Sequence, residues 1–404
     1  MSFSGVNQSM QKENNLSLLI HLLRESSEVN EYTRVRIAQE TGLTQAAVGK
    51  LVGELIDWGL VNECSSIGKG VGRHPTRLVL NSKRYHCLAI RINRDYISGA
   101  IYDIMGKRYE ARYYAISSLE GAQHSMQRVV KMAEELLAAA ELPPMCIGVA
   151  VPGPFNYKTS RVSLMSGFPG WSEVDIRKEL ETQFQLPVTV EQDANCGALA
   201  EARYGGYPNN CNILYVVADR GIGAGLIING ELYRGDVGFA GEIGHSSINV
   251  FGPKCECGNV GCLELYGSTV AMQNTYIQRC FQEGAARVSN LDISSQMVLQ
   301  LAQKGDALAC EVYRQTVSYL AFGVVSMINA FNPQTVVFAD KITAVDELFL
   351  PAVKETLQKH LMKEIYESLE IKTCALEGDP MLFGASVVAF EHLIRFPSTY
   401  FKRD

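Results

Sequence analysis

The stretch GEIGHSSINVFGPKCECGNVGCLE, residues 241–264, concentrates side chains that bind metal ions. It contains His245, followed by Cys255, Cys257 and Cys262. One imidazole and three thiolates are the donor set that tetrahedral Zn²⁺ prefers, and four protein ligands leave no open coordination position. The spacing therefore predicts a structural zinc site with about one ion per chain. A chance cluster of reduced thiols is the alternative.

The composition is that of a globular protein, with 47% hydrophobic and 20% charged residues in a chain of 404. This excludes extended disorder, and the length predicts two or three domains. The eleven cysteines are an odd number, and residues 1–15 lack the apolar core of a signal peptide. No apolar run reaches the roughly 18 residues that a membrane-spanning helix needs. We therefore expect a cytoplasmic protein with reduced thiols and no membrane insertion.

Charge is unevenly distributed along the chain, whose net charge is −6. Residues 1–85 contain ten Lys and Arg against eight Asp and Glu, whereas the remainder contains 27 against 35. An acidic body is a poor general surface for nucleic acid. Any contact with nucleic acid is therefore expected in the N-terminal part.

The N-terminal part has the pattern of a helix-turn-helix. After an apolar helix predicted over residues 15–26, Thr33 can cap a short second helix, which Gly42 ends in a tight turn. The next helix begins after Thr44 and carries one apolar stripe, formed by Val48, Leu51, Val52 and Leu55. Its exposed N-terminal face would meet DNA through Thr44, Gln45, Ala46 and Lys50. A plain helical hairpin is the alternative.

A predicted hairpin follows these helices. Two short alternating runs, at residues 60–64 and 77–81, flank a loop rich in glycine and basic residues. Such a hairpin is the wing of a winged helix, in which Lys69 and Arg73 would contact phosphates or the minor groove. A solvated basic loop is the alternative. The predicted DNA-binding domain spans residues 1–82.

From about residue 86 the pattern changes to repeated strands and helices. We predict two α/β lobes, a first over residues 83–207 and a second over residues 208–404 that includes the zinc loop. Two α/β halves with a cleft between them bind a ligand where the halves meet.

Three acidic residues are candidates for that cleft: Asp193 in QDAN, Glu242 in GEIGH and Glu264 in GCLE. A carboxylate can accept a hydroxyl proton as general base, and neighbouring carboxylates can hold further hydroxyls. Isolated acids are more often simply solvated. The glycine-rich run at residues 221–225 either cradles a phosphate or forms a tight hairpin turn.

Taken together, these segments resemble the ROK family of repressors and sugar kinases over nearly the whole chain, with repressors of the Mlc and NagC type as the nearest likeness. The matching motifs are VPGPF (151–155), PGW (169–171), QDAN (192–195), GIGAGLIINGELYRG (221–235), GEIGH (241–245) and CECGNVGCLE (255–264). The resemblance implies a winged helix joined to a two-lobed α/β body of the actin/hexokinase ATPase fold.

The resemblance also implies roles for individual residues. Asp193 matches the catalytic base of the kinase members, and Glu242, His245 and Glu264 match positions that hold sugar hydroxyls, with His245 also a zinc ligand. Gly167 stands where a sugar-contacting asparagine is usual.

Three departures fall at the nucleotide site that the resemblance implies. Residues 91–95 read RINRD instead of DxGGT, residues 219–221 read DRG instead of GTG, and residues 339–341 read ADK instead of a Gly-Gly turn. Side chains at points of close backbone approach should weaken ATP binding.

The resemblance therefore favours a non-enzymatic repressor of sugar uptake or catabolism genes that binds operator DNA. Its body would sense a sugar, a sugar phosphate or a phosphotransferase-system protein. Binding to an inverted repeat predicts a homodimer or a dimer of dimers. A sugar kinase that retains catalytic Asp193 is the first alternative, and a pure protein-interaction module is the second.

Overall fold

The computed structural model describes residues 8–24, 26, 30–65, 76–117, 121–163, 170–282 and 293–402. The N-terminal part consists of three helices and a hairpin within these ranges: α1 (Gln8–Arg24), α2 (Arg34–Thr41), α3 (Gln45–Asp57), β1 (Val61–Ser65) and β2 (Thr76–Leu80). Strands β1 and β2 pair antiparallel. The predicted order of helices and hairpin is confirmed.

The predicted helix caps are present. The Thr33 hydroxyl accepts from the backbone N–H of Arg36, and the Thr44 hydroxyl accepts from that of Ala47. Gly42 ends α2 with φ of 70°, in the left-handed region that favours glycine. Helix α1 begins at Gln8, earlier than the predicted residue 15. The sequence did not indicate these first turns because they are polar and have no apolar period. They are held instead by contacts such as the ion pair of Lys12 with Glu54, at 2.6 Å.

The first half of the body is a mixed sheet with helices. In chain order it contains β3 (His86–Ile92), β4 (Tyr96–Asp103), β5 (Arg108–Ala115), α4 (Ala122–Ala139), β6 (Cys146–Val151), β7 (Phe155–Asn156), β8 (Arg161–Val162), α5 (Ile176–Phe184), β9 (Val188–Gln192) and α6 (Asp193–Tyr204). Among the described residues, the sheet has the strand order β5-β4-β3-β6-β9. Strands β3, β6 and β9 run parallel, so the carboxyl ends of β3, β6 and β9 meet at one edge.

The second half repeats this plan. It contains β10 (Ile213–Ala218), β11 (Ile222–Ile228), β12 (Glu231–Leu232), α7 (Glu264–Gly267), α8 (Thr269–Gln282), α9 (Ser295–Gln303), α10 (Ala307–Phe331), β13 (Thr335–Ala339), α11 (Asp346–His360), α12 (Lys363–Ser368), β14 (Glu370–Thr373), α13 (Pro380–Ile394) and α14 (Pro397–Tyr400). The described strands form a sheet in the order β12-β11-β10-β13-β14.

Helix α6 of the first half packs on the sheet of the second half, and helix α13 of the second half packs on the sheet of the first. A Cβ on Gly148 of β6 would lie 2.0 Å from the carbonyl oxygen of Ala385 in α13, and one on Gly225 of β11 would lie 2.4 Å from that of Ala194 in α6. Only glycine allows backbones to approach so closely. The predicted boundary at residue 207 thus separates the two sheets but not the helices that cover them.

Helix α1 is fixed to the C-terminal end of the body. The Ser17 hydroxyl donates to the carbonyl oxygen of Ile394 at 2.7 Å, and Arg24 Nη1 donates to Glu391 Oε1 at 2.7 Å. The α1 leucines share one apolar core with Phe390 of α13. The DNA-binding part and the body are therefore joined by a packed contact. In the described ranges, no helix combines the length and apolar character that crossing a bilayer requires.

Candidate functional site

The predicted cleft lies where the two halves meet, and its lining includes Asp193, Glu242, His245 and Glu264. The structure thus brings together four residues that are separated by up to 71 positions in the chain. As formed by the described residues, the cleft has a volume of about 60 Å³, well below the roughly 300 Å³ of the smallest usual ligand pockets. In this conformation the cleft therefore has little room for a ligand.

Asp193 is the first residue of α6 and follows directly on β9. Its Oδ1 accepts from the N–H of Ala194 at 2.7 Å, and its Oδ2 lies 4.0 Å from Arg91 Nη2. Burial raises the pKa of Asp193 to about 6, although the Arg91 charge opposes this shift. A carboxylate with such a pKa is suited to accept a proton, or a strong hydrogen bond, near neutral pH.

Glu242 faces Asp193 from the second half of the body. Its Oε1 accepts from Gln192 Nε2 at 2.9 Å. A Cβ on Gly153 would lie 2.4 Å from Glu242 Oε1 and 2.2 Å from Gln192 Nε2, so glycine is needed beside this pair. Burial, and then the nearby Asp193 carboxylate, raise the pKa of Glu242 to about 7.

Glu264 begins α7, and its Oε2 accepts from the N–H of Ile222 at 3.1 Å. This bond attaches Glu264 to the start of β11, which contains most of the glycine-rich run. The run itself pairs with β10, so that Gly223 is opposite Val217. Of the two interpretations of the run, the structure supports the hairpin.

Arg91 occupies the region where a nucleotide phosphate was predicted to lie. Its Nη2 is 3.1 Å from Asp340 Oδ2, and its Nη1 is 2.9 Å from Asp379 Oδ1. The Arg91 side chain is 3% exposed. Burial lowers the pKa of Arg91, but the carboxylates of Asp379 and Asp340 outweigh burial and raise it. The guanidinium is thus a buried, paired cation at the junction of the two halves.

The charged residues at the other two departures from the kinase pattern, Asp219 and Lys341, pair with each other. Lys341 Nζ donates to Asp219 Oδ2 at 2.7 Å, and the Thr269 hydroxyl donates to Asp219 Oδ1 at 3.0 Å. Asp219, Asp340 and Lys341 therefore belong to one charge network with Arg91. Phosphate binding would require this network to separate.

The four predicted metal ligands are close together. The donor atoms of His245, Cys255, Cys257 and Cys262 all lie within 4.8 Å of one another. Cys255 Sγ is 3.8 Å from His245 Nδ1, and Cys257 Sγ is 3.7 Å from Cys262 Sγ. Zn–S bonds of about 2.3 Å in a tetrahedron place two sulfurs about 3.8 Å apart. The cluster can therefore hold a metal ion, and its spacing fits zinc.

The predicted DNA-contacting residues of α3 are on its surface. Thr44, Gln45, Ala46 and Lys50 are exposed, while Val48 faces the core. Lys69 and Arg73 of the predicted wing lie outside the described residues, as does Gly167 of the predicted sugar site.

Three functional features were missed in the sequence. Asp379 caps α13 and pairs with Arg91, Gln192 orients Glu242, and Gly153 leaves room for both. The sequence could have indicated Gly153, because this glycine is part of the VPGPF motif that resembles the family. Nothing in the sequence near Asp379 indicated a partner 288 residues away.

A two-lobed α/β body with a winged helix at its N-terminus defines the class of this protein, and comparison with known proteins identifies the family. The model of the ROK family matches residues 87–392. The chain therefore belongs to the ROK family.

Proteins that match over most of their length include one curated relative and two solved structures. The chain is 28% identical to the xylose repressor of Bacillus spizizenii over 390 residues, covering 96% of this chain and 97% of the relative. A ROK family transcriptional regulator, a homolog of the Escherichia coli MLC protein, superposes with a TM-score of 0.80 at 24% identity, over 96% of this chain and 97% of that one. The ROK hexokinase from Thermus thermophilus superposes with a TM-score of 0.63 at 26% identity, over 76% and 99%. The predicted fold, a winged helix on an actin/hexokinase-type body, is confirmed.

Proposed function

We propose that this protein is a DNA-binding transcriptional regulator that represses genes for sugar uptake or catabolism. The observation that carries the proposal is the Arg91–Asp340–Asp379 network, which fills the region a kinase would need for phosphate. The exposed polar face of α3 supports DNA binding, because a recognition helix contacts base edges from its N-terminal turns. The likeness to a relative named xylose repressor over almost the full length agrees with it.

The body would sense a sugar or sugar phosphate in the cleft. Asp193, Glu242, His245 and Glu264 converge there, and carboxylates that accept hydrogen bonds from hydroxyls suit a polyol. A phosphotransferase-system protein that binds the body is the alternative effector. Sugar-responsive release from DNA with no partner protein present would favour the cleft.

The metal cluster would hold one zinc ion with a structural role. His245 belongs to both the cluster and the cleft lining. Zinc would therefore fix the segment that carries the candidate sugar ligands, with no open coordination position for catalysis.

The active form would be a homodimer or a dimer of dimers. Two winged helices on an inverted repeat double the number of phosphate contacts, and each recognition helix then occupies one half-site.

The test is a gel-shift assay with the purified full chain and DNA from upstream of its own gene, repeated with a panel of sugars. Specific retardation that one sugar relieves is the expected result. Absence of any specific complex would contradict the proposal.

A sugar kinase is the second candidate, because Asp193 is retained with a pKa raised to about 6. A coupled assay across common hexoses separates the two functions. Formation of sugar phosphate would support the kinase, whereas the paired charges around Arg91 predict none.

A further inference from the structure

A second cavity, of about 590 Å³, lies at the junction of α1 with the body and away from the sugar cleft. Ser17 and His21 of α1 form one wall, and the other walls include residues of α5, β9, α6, β12 and α13. Its volume is within the range of roughly 300–1,000 Å³ that small-molecule sites occupy. The cavity therefore has room for a metabolite.

The charged lining of this cavity is rich in arginine. Four arginines face it, against three glutamates, and these are Arg177, Arg203, Arg234 and Arg395 against Glu191, Glu231 and Glu391. The cavity is thus basic, although the body as a whole is acidic.

The buried Glu191 and the half-buried Glu391 already have hydrogen-bond partners. Glu191 Oε2 accepts from Arg234 Nε at 2.6 Å, and Glu191 Oε1 accepts from Asn195 Nδ2 at 2.9 Å. Glu391 Oε1 accepts from Arg24 Nη1 at 2.7 Å and from Arg203 Nε at 3.4 Å. The carboxylates of Glu191 and Glu391 are therefore paired with other arginines and do not neutralise the remaining two arginines of the cavity.

Arg177 and Arg395 are those remaining arginines. Among the described residues, neither has a carboxylate oxygen within 4.0 Å, and the buried Arg177 Nε has no hydrogen-bond partner. Burial lowers the pKa of His392, and the charges of Arg177 and Arg395 lower it further. The positive charges of both guanidinium groups are therefore close enough to affect His392, which also lines the cavity.

We propose that this cavity binds a small phosphorylated metabolite through Arg177 and Arg395. Guanidinium groups present paired N–H donors that match phosphate oxygens, and two of them without carboxylate partners suit a doubly charged phosphate. The ligand would touch α1, which begins the DNA-binding part, and α13, which carries Glu391. It would also touch β9, whose end leads to Asp193 of the cleft. This site is separate from the sugar site of the proposed function.

The test is calorimetric titration of the full chain, without DNA, using pyrophosphate and glucose 6-phosphate as probes at constant ionic strength. Because no DNA is used, the result does not depend on repressor activity, and the arginine variants separate this cavity from the cleft, where the proposed function also places a sugar phosphate. One bound pyrophosphate per chain is expected, with at least tenfold weaker binding in Arg177→Gln/Arg395→Gln; glucose 6-phosphate should lose the same site in this variant. Lys178→Gln, an exposed neighbour on α5, is the matched control and should bind as the wild type does.

Two results would overturn the proposal. One is binding of neither probe to the wild type. The other is pyrophosphate binding that survives Arg177→Gln/Arg395→Gln. Its loss in Arg94→Gln/Arg220→Gln would then place the probe in the cleft, which those arginines line. Unchanged circular dichroism of both double variants excludes unfolding as the cause of any loss.

Discussion

Arg91 Nη2 and Asp340 Oδ2 lie 3.1 Å apart and join the end of one central sheet to the end of the other. Arg91 is on β3 of the first half, and Asp340 follows β13 of the second. A salt bridge between the halves at this point stabilises the closed cleft of about 60 Å³. Any movement of the two halves apart at this point would have to break this contact.

Replacing Arg91 should strongly destabilise the body. Arg91→Ala leaves the carboxylates of Asp340 and Asp379, 12% and 23% exposed, without their cation. Loss of one partner from a buried ion pair costs about 3–5 kcal/mol. Urea unfolding measures this difference. Arg112→Ala, at an exposed pair with Glu110, should change stability by less than about 1 kcal/mol. A similar loss in both variants would contradict a special role for Arg91.

The helix caps and the buried strands were predictable because they depend on neighbouring residues. Thr33 and Thr44 each bond to an N–H three positions along the chain. The Arg91–Asp340 and Arg91–Asp379 contacts span 249 and 288 positions. The sequence indicated that charges had replaced glycines, but not that these charges pair. Pairing depends on how the two halves dock, which no local pattern encodes.

The same distinction applies to the candidate sites. The zinc ligands follow from short spacing, since three of the four lie within eight residues. The cleft carboxylates are far apart in the sequence, so only the resemblance to the family grouped them. The structure shows that they line one cleft. The start of α1 was predicted too late because residues 8–15 have no apolar period. The sequence also did not indicate that α6 and α13 each pack on the sheet of the other half.

Removing one zinc ligand should release the metal. Purified wild type should contain about one Zn²⁺ per chain, and Cys257→Ser should contain little, because three ligands hold zinc less tightly than four. The change should also disturb the segment that carries Glu242 and abolish the sugar response, while α1–α3 stay folded. Mass spectrometry of the metal content measures the first effect. Cys64→Ser, outside the cluster, is the control. Freshly reduced wild type without zinc would rule out the assignment.

Lys50 should contribute to DNA affinity without contributing to folding. It is exposed on α3, so Lys50→Ala removes a cation at no cost to the core. A base contact would be worth about 1–3 kcal/mol, whereas a phosphate contact would lower the salt slope of binding by about one. Fluorescence anisotropy with operator DNA at several salt concentrations distinguishes these cases. Lys131→Ala, exposed on α4 of the body, should bind as the wild type does. Unchanged affinity and slope in Lys50→Ala would remove this residue from the interface.

Sugar affinity should depend on pH through Asp193. Burial raises the pKa of this carboxyl to about 6, so it is mostly ionised at pH 7.5 and mostly protonated at pH 5. The ionised form accepts the stronger hydrogen bond from a hydroxyl. Affinity should therefore rise as pH increases through 6, and binding below this pH should release a proton. The stability of the free protein should change in the opposite direction, because the folded state holds the extra proton between pH 3.8 and about 6.

Asp193→Asn tests this contribution, and it also removes the charge that helps to raise the pKa of Glu242. A hydrogen bond to a charged group is worth roughly 1.5–3 kcal/mol, so the variant should bind the inducing sugar about tenfold or more weakly and lose its pH dependence near 6. DNA affinity without sugar should stay the same, since Asp193 is remote in sequence from α3 and its polar contacts among the described residues are with Ala194 and Arg91 of the body. Calorimetric titration of the sugar at pH 5.5 and 7.5, in wild type and variant, measures both effects. ATP titrated in the same series should not bind at micromolar concentrations, because Arg91 and its partners occupy the phosphate region. Equal sugar affinity in wild type and variant at both pH values would show that Asp193 has no part in effector recognition, whereas no sugar binding at all to the wild type would shift the effector from a sugar in the cleft to a protein.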